Sequence, residues 1–290
     1  MSKVFSEGGS ARLLARGCAA LILLCSSASL MAARSITLPH EEHFDNDTYT
    51  GDILWVEDGN GTTDRGATHT WEPLGGWSGG AAKFTPPTTY QGYAGLGQFT
   101  GMNTPQLNVR FLIYHGSTWL ERAANNKVII MNRIMPDGSA GDRPMIISHQ
   151  YDNNEFVSYG ACDGTVCNYQ GGGYWPDGTD DFRIGNPPNN REEEWICVEF
   201  EGRATDGVIS LYITTQDGVL NGLYTQQTMA QPGGTFRYID ILGGYMDYGN
   251  PDENTYFKID ELKVDDSYIG CPDGFVTGTR PKSPTSLIAQ

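Results

Sequence analysis

Side chains along this chain alternate in character with period two, and almost nowhere with the period of 3.6 that an amphipathic helix needs. Successive side chains of a strand point to opposite faces, so this alternation predicts half-buried β-strands and excludes a helical bundle. In Leu107-Asn-Val-Arg-Phe-Leu-Ile-Tyr114, Leu107, Val109, Phe111 and Ile113 share one face, and Asn108, Arg110, Leu112 and Tyr114 share the other. Trp195-Ile-Cys-Val-Glu-Phe200 alternates in the same way, and Val208-Ile-Ser-Leu-Tyr-Ile213 follows it after an Asp206-Gly207 turn. Further strands are predicted over 127–133, 143–150 with a hairpin return at 155–159, 236–242 and 256–264. A helix of one or two turns is predicted over 118–125. The 37 Gly and 15 Pro residues cluster between these runs, where turns are needed. Seven or more strands joined by such turns predict an all-β fold, an antiparallel two-sheet β-sandwich.

The first 33 residues predict a signal peptide. Lys3, Arg12 and Arg16 form a basic start, and Gly17 to Leu30 is apolar. That run is shorter than the about 20 residues a membrane-spanning helix needs, and small residues follow at Ser26–Ser29 and Ala32–Ala33. Residues 34–276 are then expected to form one domain and 277–290 a flexible tail. The mature protein is expected to be secreted, extracellular or periplasmic, with no membrane span.

The formal net charge is −16, from 19 Lys+Arg and 35 Asp+Glu. That balance argues against nucleic acid as a partner, because phosphate recognition needs a basic surface. Cys18 and Cys25 lie in the leader, which leaves Cys162, Cys167, Cys197 and Cys271. Four cysteines allow three pairings. The favoured one closes the short Cys162–Cys167 loop and ties the strand at Cys197 to the C-terminal segment at Cys271. A four-thiolate zinc site is disfavoured, because no two cysteines have knuckle spacing and export favours disulfides.

Three stretches resemble the concanavalin A-like lectin/glucanase superfamily: Leu107–Tyr114; Trp195–Phe200 with Asp206-Gly-Val-Ile-Ser-Leu-Tyr212; and Tyr256-Phe-Lys-Ile-Asp-Glu-Leu-Lys-Val264 with Asp266-Ser-Tyr-Ile-Gly270. The resemblance covers roughly residues 40–275. It implies a jelly-roll sandwich, a groove on its concave sheet and a polysaccharide or glycan as partner. It also implies a structural calcium tying the N-terminal acidic segment to the last strand, with Glu42, Asp45 and Asp260 as ligands.

The residues themselves narrow the chemistry. A retaining glucanase of this superfamily carries Glu-x-Asp-x-x-Glu on a strand, and the chain has no such motif. Glu199 and Glu201 share a strand face and read as a solvated edge, whereas adjacent Asp260 and Glu261 are expected on opposite faces. Asp58-Gly-Asn-Gly-Thr-Thr-Asp64 spaces oxygen donors like a calcium loop but lacks the closing Glu, so it reads as a polar turn. Two functions remain. The first is glycan binding, with Arg110, Arg133, Tyr174, Trp175 and Tyr245 lining the groove. Aromatic rings stack on the C–H faces of sugars, and polar side chains take the hydroxyls. The second is a polysaccharide lyase acting on a uronate polymer, with Arg110 or Arg143 neutralising the carboxylate and His149 or Tyr151 as base. Period two puts Arg143 and His149 on one face. A structural or adhesive surface protein is the third class.

Overall fold

The computed structural model describes residues 33–46, 68–86, 94–122, 127–141, 143–147, 157–161, 191–219, 221–229, 232–245 and 252–275. All of them belong to the compact unit Met31–Gln290. Fourteen strands follow in chain order: β1 (Ala33–Ser35), β2 (His40–Glu42), β3 (Thr68–Glu72), β4 (Ala81–Thr85), β5 (Ala94–Thr104), β6 (Gln106–His115), β7 (Lys127–Ile134), β8 (Arg143–Ile147), β9 (Val157–Ala161), β10 (Trp195–Arg203), β11 (Val208–Thr215), β12 (Asn221–Thr228), β13 (Thr235–Tyr245) and β14 (Phe257–Asp265). The expected helix is a single turn, α1 (Trp119–Arg122). Among the described residues no helix is long and apolar enough to cross a membrane.

The strands form two sheets. One has six strands in the order β1-β5-β13-β7-β8-β9. The other has eight, in the order β12-β11-β10-β6-β14-β4-β3, with β2 also paired to β14. Every pairing is antiparallel except that of β1 with β5. The architecture is therefore the two-sheet β-sandwich, of concanavalin A-like jelly-roll type, that the alternation and the resemblance predict.

The core lies between the sheets. Phe99, Met131, Ile239 and Ile241 from the smaller sheet meet Val109, Phe111, Val198, Phe200 and Ile259 from the larger, all fully buried. These are the residues that the period-two pattern assigns to one face of each strand. Gly202 sits at this interface, where a Cβ would come within 2.5 Å of the Phe236 ring and 3.1 Å of the Met131 sulfur. Only glycine lets the two sheets approach there.

The larger sheet is buried on its outer face as well. Along β10 every residue from Trp195 to Gly202 is buried. A second apolar cluster of Ala81, Leu112, Trp195, Cys197 and Phe275 covers part of that face, with Trp77, Tyr114 and Cys271 packed against it.

Replacing Phe111, fully buried at the centre of the sandwich, by alanine is expected to cost about 3–5 kcal/mol of unfolding free energy, read as a lowered urea midpoint at unchanged m-value.

Candidate functional site

Each outer sheet face was a candidate for the ligand groove, and they differ in what lies on them. A strap, residues 266–275, and a loop, residues 73–80, lie over the eight-stranded sheet. The Cys197–Cys271 disulfide joins β10 to the strap across 74 residues of sequence. The Trp77 and Phe275 rings join loop to strap, with centroids 4.9 Å apart. Glu199 accepts the backbone N–H groups of Ile269 at 2.9 Å and Gly270 at 2.8 Å. Glu201, one alternation further on, accepts Nε2 of Gln106 and the hydroxyl of Tyr212, each at 3.3 Å.

The two glutamates are thus 1% and 2% exposed. This corrects the expectation of a solvated edge: both side chains serve as acceptors beneath added structure. Burial pushes the Glu199 carboxyl up to about 7, against the pull of its two N–H donors. Arg110, opposite Glu199 in register, is 6% exposed on this covered face.

Asp260 and Glu261 also depart from strict alternation. The β14–β6 register shifts between Asp260 and Lys263, and Glu261 has a φ of 51°. That bulge turns two adjacent carboxylates to one side. Asp260 Oδ2 accepts the N–H groups of Trp77 at 2.7 Å and Ser78 at 3.4 Å, while Glu261 Oε1 accepts the Ser78 hydroxyl at 2.5 Å. Burial pushes the Asp260 carboxyl up to about 6.

The outer face of the six-stranded sheet is different. In register across β5, β13 and β7, Gln98 and Ile130 flank Asp240, and Thr100 and Asn132 flank Tyr238. Gln98, Thr100, Tyr238, Asp240 and Ile130 are all partly exposed. Asp240 organises the group. Gln98 Nε2 donates to its Oδ1 at 3.0 Å, and Asn132 Nδ2 donates to its Oδ2 at 2.7 Å. Burial raises the pKa of this carboxyl, while the two amides and the positive charge of Arg143 oppose the rise. Arg143, on β8, has a buried Nε without a hydrogen-bond partner among the described residues. The result is a preset group of donors and acceptors on a sheet face that is not sealed by the strap or by loop 73–80.

The sequence-predicted residues divide as follows. Arg110 lies on the covered face of the larger sheet, while Arg133 and Arg143 lie on β7 and β8 of the smaller, so the three arginines do not converge. Arg133 is 1% exposed and donates to the Gly233 carbonyl at 2.7 Å. Only Arg143 stands on the outer face that carries Asp240: β8 pairs Met145 with Ile130, which pairs with Asp240, and Arg143 is in phase with Met145. Tyr245 ends β13, and its side chain lies outside the described residues, as do His149, Tyr151, Tyr174, Trp175, Cys162 and Cys167. Gln98, Asn132 and Asp240 were missed in sequence. Gln98 sits in a Gly-rich strand without alternation, and Asn132 and Asp240 each read as an ordinary polar position.

Of the expected calcium ligands, Asp45 and Asp260 reach the same loop. Asp45 Oδ1 accepts the N–H of Gly80 at 3.3 Å, at the opposite end from Trp77. Glu42 instead accepts the N–H of Phe44 at 3.1 Å. The loop is glycine-rich for a steric reason: a Cβ on Gly76 would run into the Gly80 carbonyl oxygen and Asp260 Oδ2. No three His, Cys, Asp or Glu side chains gather around one point among the described residues. The donors at hand, two carboxylates and backbone carbonyls, suit a hard cation but form a partial set.

No known protein family matches the chain, and no curated protein matches it. Solved structures similar to it include the alginate lyase vAL-1 from Chlorella virus, at 11% identity and a TM-score of 0.43, covering 74% of this chain and 100% of that one. The exoplasmic/lumenal domain of VIP36, with Ca2+ and Man3GlcNAc bound, has 9% identity and a TM-score of 0.44, covering 81% and 93%. Arcelin-5, a lectin-like defense protein from Phaseolus vulgaris, has 9% identity and a TM-score of 0.40, covering 79% and 98%.

The Asp240 carboxyl is raised above its ordinary value in the folded chain. Its stabilising contribution is therefore full at low pH and lost as pH rises through the folded value. Relative to the parent, Asp240→Asn is expected to gain in thermal midpoint between about pH 4 and pH 8, as a scanning-calorimetry series would show.

Proposed function

We propose that this chain, exported by its first 33 residues, is a polysaccharide-binding β-sandwich protein whose glycan lies across the outer face of the six-stranded sheet. The Gln98–Asp240–Asn132 network carries this reading. Each oxygen of Asp240 holds one amide, which fixes both amides in orientation. Their remaining donors and acceptors, with the Tyr238 side chain one row away, can then meet the alternating hydroxyls of a sugar chain at little entropic cost. The unpartnered Nε of Arg143 adds a donor at one side. Tyr174, Trp175 and Tyr245 are assigned the stacking role that apolar sugar faces require. Arg110 and Arg133, the other two arginines of the original groove, are left out of this site because both are nearly fully buried.

Gln98→Ala and Asn132→Ala are each expected to weaken binding of the recognised glycan by at least about tenfold while leaving the thermal midpoint near the parent value. A glycan array followed by titration calorimetry measures this. Unchanged affinity in both variants would move the site elsewhere.

A second reading rests on Arg143. On a uronate polymer, Arg143 with the Gln98 and Asn132 amides would neutralise the sugar carboxylate. His149 or Tyr151 would take the C5 proton, the electron pair would form the C4–C5 double bond, and the 4-oxygen would leave with a proton from the other residue. The net charge of −16 weighs against this reading, because it repels a polyanion. Ultraviolet absorbance of unsaturated product on alginate, glucuronan and pectate decides: a rise abolished by His149→Ala or Tyr151→Phe makes the protein a lyase, and silence leaves binding.

A structural calcium would be held by Asp45 and Asp260, joining the N-terminal segment to β14 through loop 73–80. When bound it would supply charge neutralisation where the two carboxylates approach one loop. Calcium over a chelator is then expected to raise the thermal midpoint, by about 2.7 kcal/mol of stability at 100-fold excess over Kd, and Asp45→Asn to lose that increment.

A further inference from the structure

The strap over the larger sheet is built unlike a simple C-terminal extension. It has two fastenings on one strand, β10, and they lie on the same face two residues apart: the Cys197–Cys271 bond, and Glu199 beneath the N–H groups of Ile269 and Gly270. Under it lie groups that have no partner. Both ends of the Asn108 amide, and Nε and Nη1 of Arg110, are buried without a hydrogen bond among the described residues. A cover that leaves such groups unsatisfied is held by its fastenings and not by what it seals, since each unmet buried polar group is costly.

We propose that residues 266–275 form a proton-coupled strap, in which protonated Glu199 holds Ile269 and Gly270 down, loss of the proton loosens them, and Cys197–Cys271 keeps the far end fastened. The inference is independent of the glycan reading, which concerns the other sheet.

The argument follows from the surroundings of Glu199. With the strap closed the residue is 1% exposed, and burial disfavours its charged form. With the strap lifted it would face water and titrate in the ordinary carboxylate range. The groups facing it are few. On its own strand Glu201 adds negative charge, and from β6 Arg110 opposes it. β11 presents Tyr212 and the strap Tyr268, whose rings meet edge to face at 5.5 Å. Beyond Arg110, β14 adds Lys263, which is paired to Glu41, together with Asp260 and Glu261. Burial dominates this set and leaves the closed-state carboxyl at about 7. Closing the strap therefore takes up a proton between the ordinary carboxylate range and neutrality, and raising pH through that window favours opening. Opening uncovers Arg110 and Asn108.

Hydrogen exchange of the full disulfide-bonded chain, followed by mass spectrometry and corrected for intrinsic rates, tests this. Protection of the Ile269 and Gly270 amides is expected to fall by up to the order of 10²-fold between about pH 5 and pH 8. Glu199→Gln is expected to abolish the pH dependence, and Glu201→Gln to keep it. Equal protection at both pH values in the parent, or a pH dependence that survives in Glu199→Gln, would overturn the proposal. Reduction of the disulfide is expected to speed exchange over 266–275 while β10 stays protected. Loss of protection throughout both sheets would show instead that the bond holds the whole fold.

Discussion

The larger sheet must bury both of its faces, and the rest of the structure answers to that constraint. Its inner face does so in the ordinary way, by packing apolar residues against the smaller sheet. Its outer face carries Asn108, Arg110, Glu199, Glu201 and Asp260, all nearly inaccessible to solvent. A polar row can be buried only if its oxygens find donors. The chain supplies them from backbone: loop 73–80 gives N–H groups to Asp45 and Asp260, and the strap gives N–H groups to Glu199. The carboxylates thus anchor the coverings, and the coverings bury the carboxylates.

This division of labour separates the two sheets in function. Acidic groups on the larger sheet are spent on fastening N-terminal loop and C-terminal strap, and burial raises two of them well above the ordinary carboxylate range. The smaller sheet has its polar cluster partly open, with a single carboxylate whose oxygens orient two amides. Amides so held present hydroxyl-matching donors and acceptors without a net charge of their own. That arrangement suits a neutral polymer on an acidic protein better than a polyanion.

Much of the fold was legible in alternation. The strands around Phe111, Val198, Leu211, Ile239 and Ile259 showed their core faces directly, because each pairs apolar residues with one sheet interior. Strands β3, β4, β5 and β12 did not show. β5 is rich in glycine and threonine and is held by β13, its neighbour across the sheet, rather than by an apolar face of its own. The bulge at Glu261 was equally hidden, since a shift of register depends on the partner strand and leaves no local trace.

The sequence by itself determined the sandwich, the alternating core, the acidic charge and the tie between Cys197 and Cys271, because each follows from side-chain period, composition or cysteine position along one chain. Tertiary structure alone decided which polar face is open. Arg110 and Asn132 both sit on the polar side of an alternating strand, and nothing within their strands tells them apart. Arg110 lies under a strap that arrives from 160 residues further along the chain, whereas Asn132 joins Gln98 and Asp240 from strands distant in sequence. Burial of a polar side chain is set by what crosses over it, and that is a property of the assembled sheets.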